Sequence, residues 1–386
     1  MKIVLFDPHP ARENLLPLSY TRPVADLRIG ITTIAEKWQR LLPGEYSWLT
    51  EDYLSELFPC RGGMDALYVA GNVLPTPRLA AAVGFLEPGC ALYCDDVLVA
   101  RRGDEQERID FHAGEPLTVV NHVYDIFMHN GDAVRSDFAM LTAGRRSAPL
   151  SDTVRVIGPR EDVFVEEGAW LECCTLNVQG GPIYIGREAT VMEGSMLRGP
   201  LALCDHATVN MGTKIYPDTT IGPWCKVGGE LNNVVMHSYS NKAHDGFLGN
   251  AVIGSWCNLG AGCVASNLKN SYDPIRLWNY PTHRFERTGL QFCGLIMGDH
   301  SKAGINTMFN TATVVGVGCN IHGAGMPRPF VASFLDGNAA GFSPVIMPHF
   351  FATAERVMAR RHVELTEADR RMLMAVHAAA EGLRIV

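Results

Sequence analysis

The chain has 386 residues, 47% of them hydrophobic and 19% charged, the balance of a globular protein with room for more than one core. A net charge of −8 argues against a nucleic-acid or anionic-membrane surface, and no run of about 18 apolar residues offers a membrane span. Eleven cysteines, an odd count with no secretion signal, fit buried apolar thiols in the cytoplasm better than a disulfide framework; Cys90 and Cys94 form a CxxxC pair with no second pair to complete a zinc site, so no metal is expected.

Residues 1–150 alternate strands and helices. Strands are expected at Lys2–Phe6, Ala66–Ala70 and Ala91–Ala100, and helices at Ile31–Leu42, Pro77–Ala82 and Tyr124–Leu141. This alternation predicts an α/β, Rossmann-like domain with a mainly parallel sheet. Within it, Leu16-Pro-Leu-Ser-Tyr-Thr-Arg-Pro23 is similar to a motif of sugar-1-phosphate nucleotidyltransferases, and Val69-Ala-Gly-Asn72 resembles their metal-holding strand end. With Asp26, Arg28 and Gly30, the segment resembles shortened nucleotidyltransferase domains fused to β-helices. The resemblance implies a nucleotide or sugar phosphate near Arg22, Arg28 and Asn72, with a nucleoside triphosphate and Mg²⁺ as co-substrates if the domain is active. Two essentials are altered. The glycine-rich phosphate loop is replaced by Pro10-Ala11-Arg12-Glu13-Asn14, and the metal-binding aspartate by Asn72. Arg12, Arg22 and Arg28 are candidates to replace the missing charge, and Asp7 the missing ligand. A domain that binds without turnover is the competing reading.

Residues 151–346 carry a different signature. Ile185, Val191, Leu197, Leu203, Val209, Ile215, Ile221 and Val227 recur every sixth position among turn formers. The phase resumes at Ile253, Leu259 and Ala265, and again at Met297, Ala303, Phe309, Val315 and Ile321. Neither a helix nor a single strand has this period; a parallel β-helix does, with one short strand and one corner per six residues. The polar and aromatic break from Asn267 to Gln291 is expected to leave the prism.

The most chemical stretch is Asn241-Lys-Ala-His-Asp-Gly-Phe-Leu-Gly249, followed by Asn258-Leu-Gly-Ala-Gly262 and Asn267. Its spacing resembles the acetyltransferase half of the bifunctional glucosamine-1-phosphate acetyltransferase / N-acetylglucosamine-1-phosphate uridylyltransferase family. The resemblance implies a left-handed coil, trimers with sites between subunits, and acetyl-CoA as donor. It assigns His244 as general base, with Asn258 and Asn267 beside it. Histidine suits the task because it titrates close to neutrality and acetylation of an amine must remove a proton. Lys242, Asp245 and Lys269 are candidate contacts for an amino sugar or sugar phosphate. Lys302 is a candidate for the CoA phosphates, with Asn306 on the same coil; a corner asparagine satisfying neighbouring backbone is the plainer reading of Asn306. Phe247 and Leu268 stand where the family has tyrosines.

Residues 347–386 read as a helical tail, with Thr366 an N-cap before Glu367 and Asp369. Its Met372, Leu373, Val376 and Leu383 are expected to pack on the prism or a neighbouring subunit, covering the open coil end. The sequence thus predicts a transferase of nucleotide-sugar or cell-envelope biosynthesis, acting on a small molecule as a homotrimer. A sugar-1-phosphate nucleotidyltransferase using UTP or dTTP, with the β-helix as stem, and a catalytically silent sugar-nucleotide scaffold are the rivals.

Overall fold

The computed structural model describes residues 1–103, 107–112, 114 and 116–384. The N-terminal sheet has the order β2-β1-β3-β5-β4-β6, from β1 (Lys2–Phe6), β2 (Glu45–Leu49), β3 (Leu67–Ala70), β4 (Cys90–Cys94), β5 (Val97–Arg102) and β6 (Glu107–Asp110). Ile3, Val4 and Leu5 of the central strand are at most 1% exposed, as a parallel strand covered on both faces requires. The sheet is mixed rather than mainly parallel, because β5 runs antiparallel to both β3 and β4. The expected strand over Ala91–Ala100 is a hairpin: Asp95 and Asp96 both take positive φ, the geometry of a tight two-residue turn.

The helices are α1 (Ala11–Asn14), α2 (Ile34–Leu41), α3 (Pro77–Gly84), α4 (Val123–Met128) and α5 (Asn130–Thr142). Helix α2 starts later than the pattern predicts because Thr33 caps it, its hydroxyl accepting from the Glu36 N–H at 3.2 Å.

Every hexad residue faces the interior of a parallel β-helix. Ile185 through Val227 are at most 1% exposed, and the later members at most 3%. Thr190 pairs with Thr208 and Thr208 with Lys226, so one coil takes eighteen residues, or three hexads. The first side carries Asn241–Lys242 and Asn258–Leu259, the second Val264–Ala265 and the start of Phe247–Ile253, and the third the end of Phe247–Ile253 and Ile296–Met297. Asn258 next pairs with Lys302, and the intervening excursion folds into the antiparallel ribbon Arg276–Asn279 with Arg284–Arg287. This ribbon lies against the N-terminal domain: Tyr280 meets Tyr20 edge-on and the Asn279 amide donates to Asn14 at 3.0 Å.

The N-terminal domain packs on the third side of the prism, with Ile31, Val134 and Leu141 buried against Phe164, Tyr184 and Ala202. The Gly30 turn is fixed here. Its N–H donates to Asn130 and its carbonyl accepts from Thr220 of the prism at 2.9 Å, and a Cβ at its φ of +74° would strike Asp137.

Helices α6 (Met347–Ala359) and α7 (Glu367–Ala379) form the tail. Rather than lying across the open end alone, they run along one edge and reach the N-terminal domain. Phe350 meets His300 and Phe334, Arg361 donates to Asn241, and Arg371 pairs with Glu56. Thr366 caps α7 as expected, accepting from the Asp369 N–H at 3.2 Å. Thr366→Ala should cost about 1 kcal/mol in urea denaturation, and no change in midpoint would show that the cap contributes nothing. No helix among the described residues is long and apolar enough to cross a membrane.

Candidate functional site

Three places gather chemistry. The first is a cleft of about 510 Å³ at the ends of β1 and β3, lined by Phe6, Pro10, Asn14, Asn72, Asn121 and His122 among others. The one-turn helix α1 fills the position of a glycine-rich loop. Arg12 turns away from the cleft and is 4% exposed, donating to Asp7 at 2.8 Å and to the Tyr53 hydroxyl at 3.0 Å. Asp7 is spent on that guanidinium, the Thr50 hydroxyl and the Val24 N–H. Asn72 donates to Asn121 at 3.0 Å, and its own buried carbonyl oxygen has no partner among the described residues. Among the described residues the lining holds no lysine, arginine, aspartate or glutamate. A triphosphate with Mg²⁺ needs such charges. The cleft therefore does not fit that pair, while its amide and imidazole groups can hydrogen-bond a neutral ligand.

The second place is the junction of the two domains, where the sequence placed phosphate-binding arginines. Arg22 reaches the prism instead. It pairs with Asp299, donates to the Ser255 hydroxyl at 3.2 Å and lies 3.4 Å from Nδ1 of His237. Thr21 also donates to Asp299, at 2.9 Å. Arg28 is buried against the Ile31 carbonyl and Cys204. Both arginines seal an interface, a role legible only once residues more than 170 positions apart are brought together.

Asp26 sits beside this junction, accepting from Trp48 Nε1 at 3.1 Å. Burial raises its carboxyl from 3.8 to about 6, against the pull of Arg22. The folded chain therefore holds this proton more tightly than the unfolded one, and stability falls as pH rises from about 4 to about 6. Asp26→Asn keeps the acceptor for Trp48 and should gain on the order of 2–3 kcal/mol at pH 8. In urea denaturation the gain should vanish below about pH 4; a pH-independent difference would refute the assignment.

The third place is the corner between the first and second sides. His244 is exposed there, and its ring takes no partner among the described residues. The Asp245 carbonyl accepts from the Gly262 N–H of the next coil at 3.0 Å. Gly246 is required, since a Cβ would fall 2.0 Å from the Cys263 carbonyl oxygen. Lys242, expected at a phosphate, is 1% exposed. Its ammonium lies inside the prism, donating to the carbonyls of Gly228 and of His244 itself, so it fixes the histidine's backbone. Lys302 is spent in the same way on the carbonyls of Trp256 and His300, each at 2.9 Å. Lys269 lies in the excursion and donates to the Pro274 carbonyl at 3.1 Å.

Asn258 opens the first side one coil on, opposite Asn241. Asn306 shares the His244 edge, its N–H donating to the Ala261 carbonyl at 2.7 Å. Asn267 stands at the far end of the second side, bonded to Asn250 at 2.8 Å. His244 and Asn267 thus bracket one side of the prism and do not meet within a chain. Of the corner N–H groups, those of Asn258, Gly260 and Gly262 are spent on neighbouring coils. That of Ala261, one coil from His244, has no partner among the described residues. His237 and His300 lie at the junction of the two domains, and His300 continues the series of aromatic corners His206, Trp224, Tyr239 and Trp256.

Residues 3–146 match the family model described as sugar nucleotidyl transferase. The bifunctional protein GlmU of Nostoc sp. is 27% identical over 182 residues, which cover 44% of this chain and 35% of that protein. The Corynebacterium glutamicum (strain R) GlmU is 26% identical over 244 residues, covering 59% and 46%. The chain thus spans less than half the length of these relatives. Among solved structures, an Arabidopsis UDP-N-acetylglucosamine acyltransferase aligns over 53% of this chain and 77% of its own, with 14% identity and a TM-score of 0.24. The chain is similar to the bifunctional GlmU proteins, with an N-terminal region that matches a sugar nucleotidyl transferase model and leads into a long parallel β-helix.

Proposed function

We propose that the chain is a cytoplasmic transferase of nucleotide-sugar metabolism that acetylates an amino sugar or its phosphate from acetyl-CoA at the His244 corner. The observation that carries this reading is the exposed, unpartnered imidazole of His244, held by its own carbonyl on Lys242 and one coil from the uncommitted N–H of Ala261. The neutral imidazole accepts the proton of the attacking amine as the carbon–nitrogen bond forms. The Ala261 N–H faces the oxygen of the thioester carbonyl as it gains charge. Collapse expels the thiolate of CoA, and the imidazolium returns the proton to it.

Three copies would complete the site. The N-terminal domain covers the third side and the tail helices run beside the first, whereas the second side keeps large apolar side chains exposed. It and its corner expose Met196, Met211, Val264, Ile305 and Met308, an apolar strip suited to a neighbouring prism. A partner packed there would bring its own groups to His244 in place of the distant Asn267. Nucleotidyl transfer in the N-terminal cleft is the second reading, favoured by the family-model match and opposed by the uncharged lining. Thiol release from acetyl-CoA, scanned over amino sugars and their 1-phosphates, tests the proposal; silence across the panel would end it.

A further inference from the structure

The edge where the third side turns into the first has its own pattern. His206, Trp224, Tyr239, Trp256 and His300 hold equivalent corners of five successive coils, all with φ between 56° and 62°. Their rings stack in series, with centroids 4.2, 6.5, 4.0 and 6.3 Å apart. The lower rings are part-exposed, while Trp256 and His300 are 9% and 7% exposed where the edge meets both the N-terminal domain and the tail. A cavity of about 330 Å³ opens there, the low end of small-ligand pockets. One wall is polar, with Arg22, Ser238, Ser255 and His300; the other is aliphatic, with Leu57, Met372 and Leu373.

Three buried nitrogens at this junction have no partner among the described residues: Arg22 Nε, His300 Nδ1 and His237 Nε2. Arg22 can only donate, so His237 Nδ1 accepts from it and Nε2 carries the proton. Burial holds His300 neutral, with its pKa pushed down to about 3. Arg22 and His300 both line the cavity, and a ligand rich in oxygen offers hydrogen-bond partners to their side chains. The charges select against phosphate, because Arg22 is already matched by Asp299 and Asp26 adds a second carboxylate. The stack selects against a nucleobase, because Tyr239 and His300 occupy the faces of Trp256 and leave ring edges to the cavity. Aromatic edges are electropositive and suit oxygen, while the aliphatic wall suits C–H groups.

We propose that this inter-domain cavity binds an uncharged sugar ring, whose hydroxyls meet Arg22, His300, Ser238 and Ser255 and whose C–H groups meet Leu57 and Met372. The site is distinct from the His244 corner and from the Asn72 cleft. Its sugar ligand accords with the transferase reading, but the cavity does not depend on it.

Calorimetric titration of the full chain with N-acetyl-D-glucosamine, with uridine as a second probe, tests the proposal. Saturable binding of the sugar is expected. It should weaken about tenfold in Ser238→Ala, which removes one hydroxyl, and vanish in Leu57→Trp, which fills the cavity. Thermal melts unchanged from the parent would show that both variants fold. His244→Ala should bind the sugar as the parent does, so loss of acetyl transfer in that variant speaks only to the reaction. Absence of binding to the parent, equal binding in both cavity variants, or uridine binding lost in their place would overturn the proposal.

Discussion

His244→Ala is expected to lower the turnover of acetyl-CoA with an amino sugar by about 10²–10⁴-fold, the usual worth of a general base. The melting temperature should stay within the small range of a surface substitution, since the ring is exposed and holds no bond among the described residues. The loss should appear in kcat, with KM for acetyl-CoA little changed, because the imidazole acts only as the proton moves. His244→Gln separates the two roles a corner side chain can have. It keeps a polar group of similar reach but cannot take the proton, so it should be as inactive as alanine. Turnover retained by glutamine would make the residue a positioning group, and turnover retained by alanine would remove this corner from the reaction.

The hexads made the β-helix legible because an interior of this kind admits one aliphatic residue per side, and burial of Ile185 through Val227 follows directly. The excursion after Asn267 was equally plain, since polar and aromatic residues replaced the repeat. Three long cations were not legible. Arg12, Lys242 and Lys302 all have stems that pack in apolar surroundings and heads that find carbonyls or a carboxylate, and direction is invisible in a one-dimensional pattern. A Lys beside a candidate base reads as a phosphate ligand, whereas Lys242 braces the turn that carries His244. The aromatic edge does carry a signal in the sequence: residues 206, 224, 239 and 256 repeat at fifteen to eighteen positions, close to the length of a coil. The mixed sheet was hidden because an Asp-Asp turn lacks the glycine that usually marks a hairpin.

The junction of the domains supplies the second large effect. Arg22→Ala should destabilise the chain by about 3 kcal/mol, because it leaves the Asp299 carboxylate buried without its cation. The side chains are 14% and 6% exposed, so solvent offers little compensation. The cost lies at the low end for a broken buried pair because Asp299 still accepts from the Ser255 N–H at 2.8 Å and from Thr21. Asp299→Asn on its own should also destabilise, as it strands the guanidinium among His237 and Ser255. The double variant removes both charges and should cost less than the sum of the singles by about 1–3 kcal/mol, measured as a double-mutant cycle in urea. Strict additivity would show that the pair is not coupled. The pair lies at the seam, so its loss should loosen the N-terminal domain first. Amide exchange in Gly30–Ile31 and in α5 should rise before exchange inside the prism does. Exchange that rises uniformly would instead mean that prism and domain unfold as one unit, with Arg22 contributing to both.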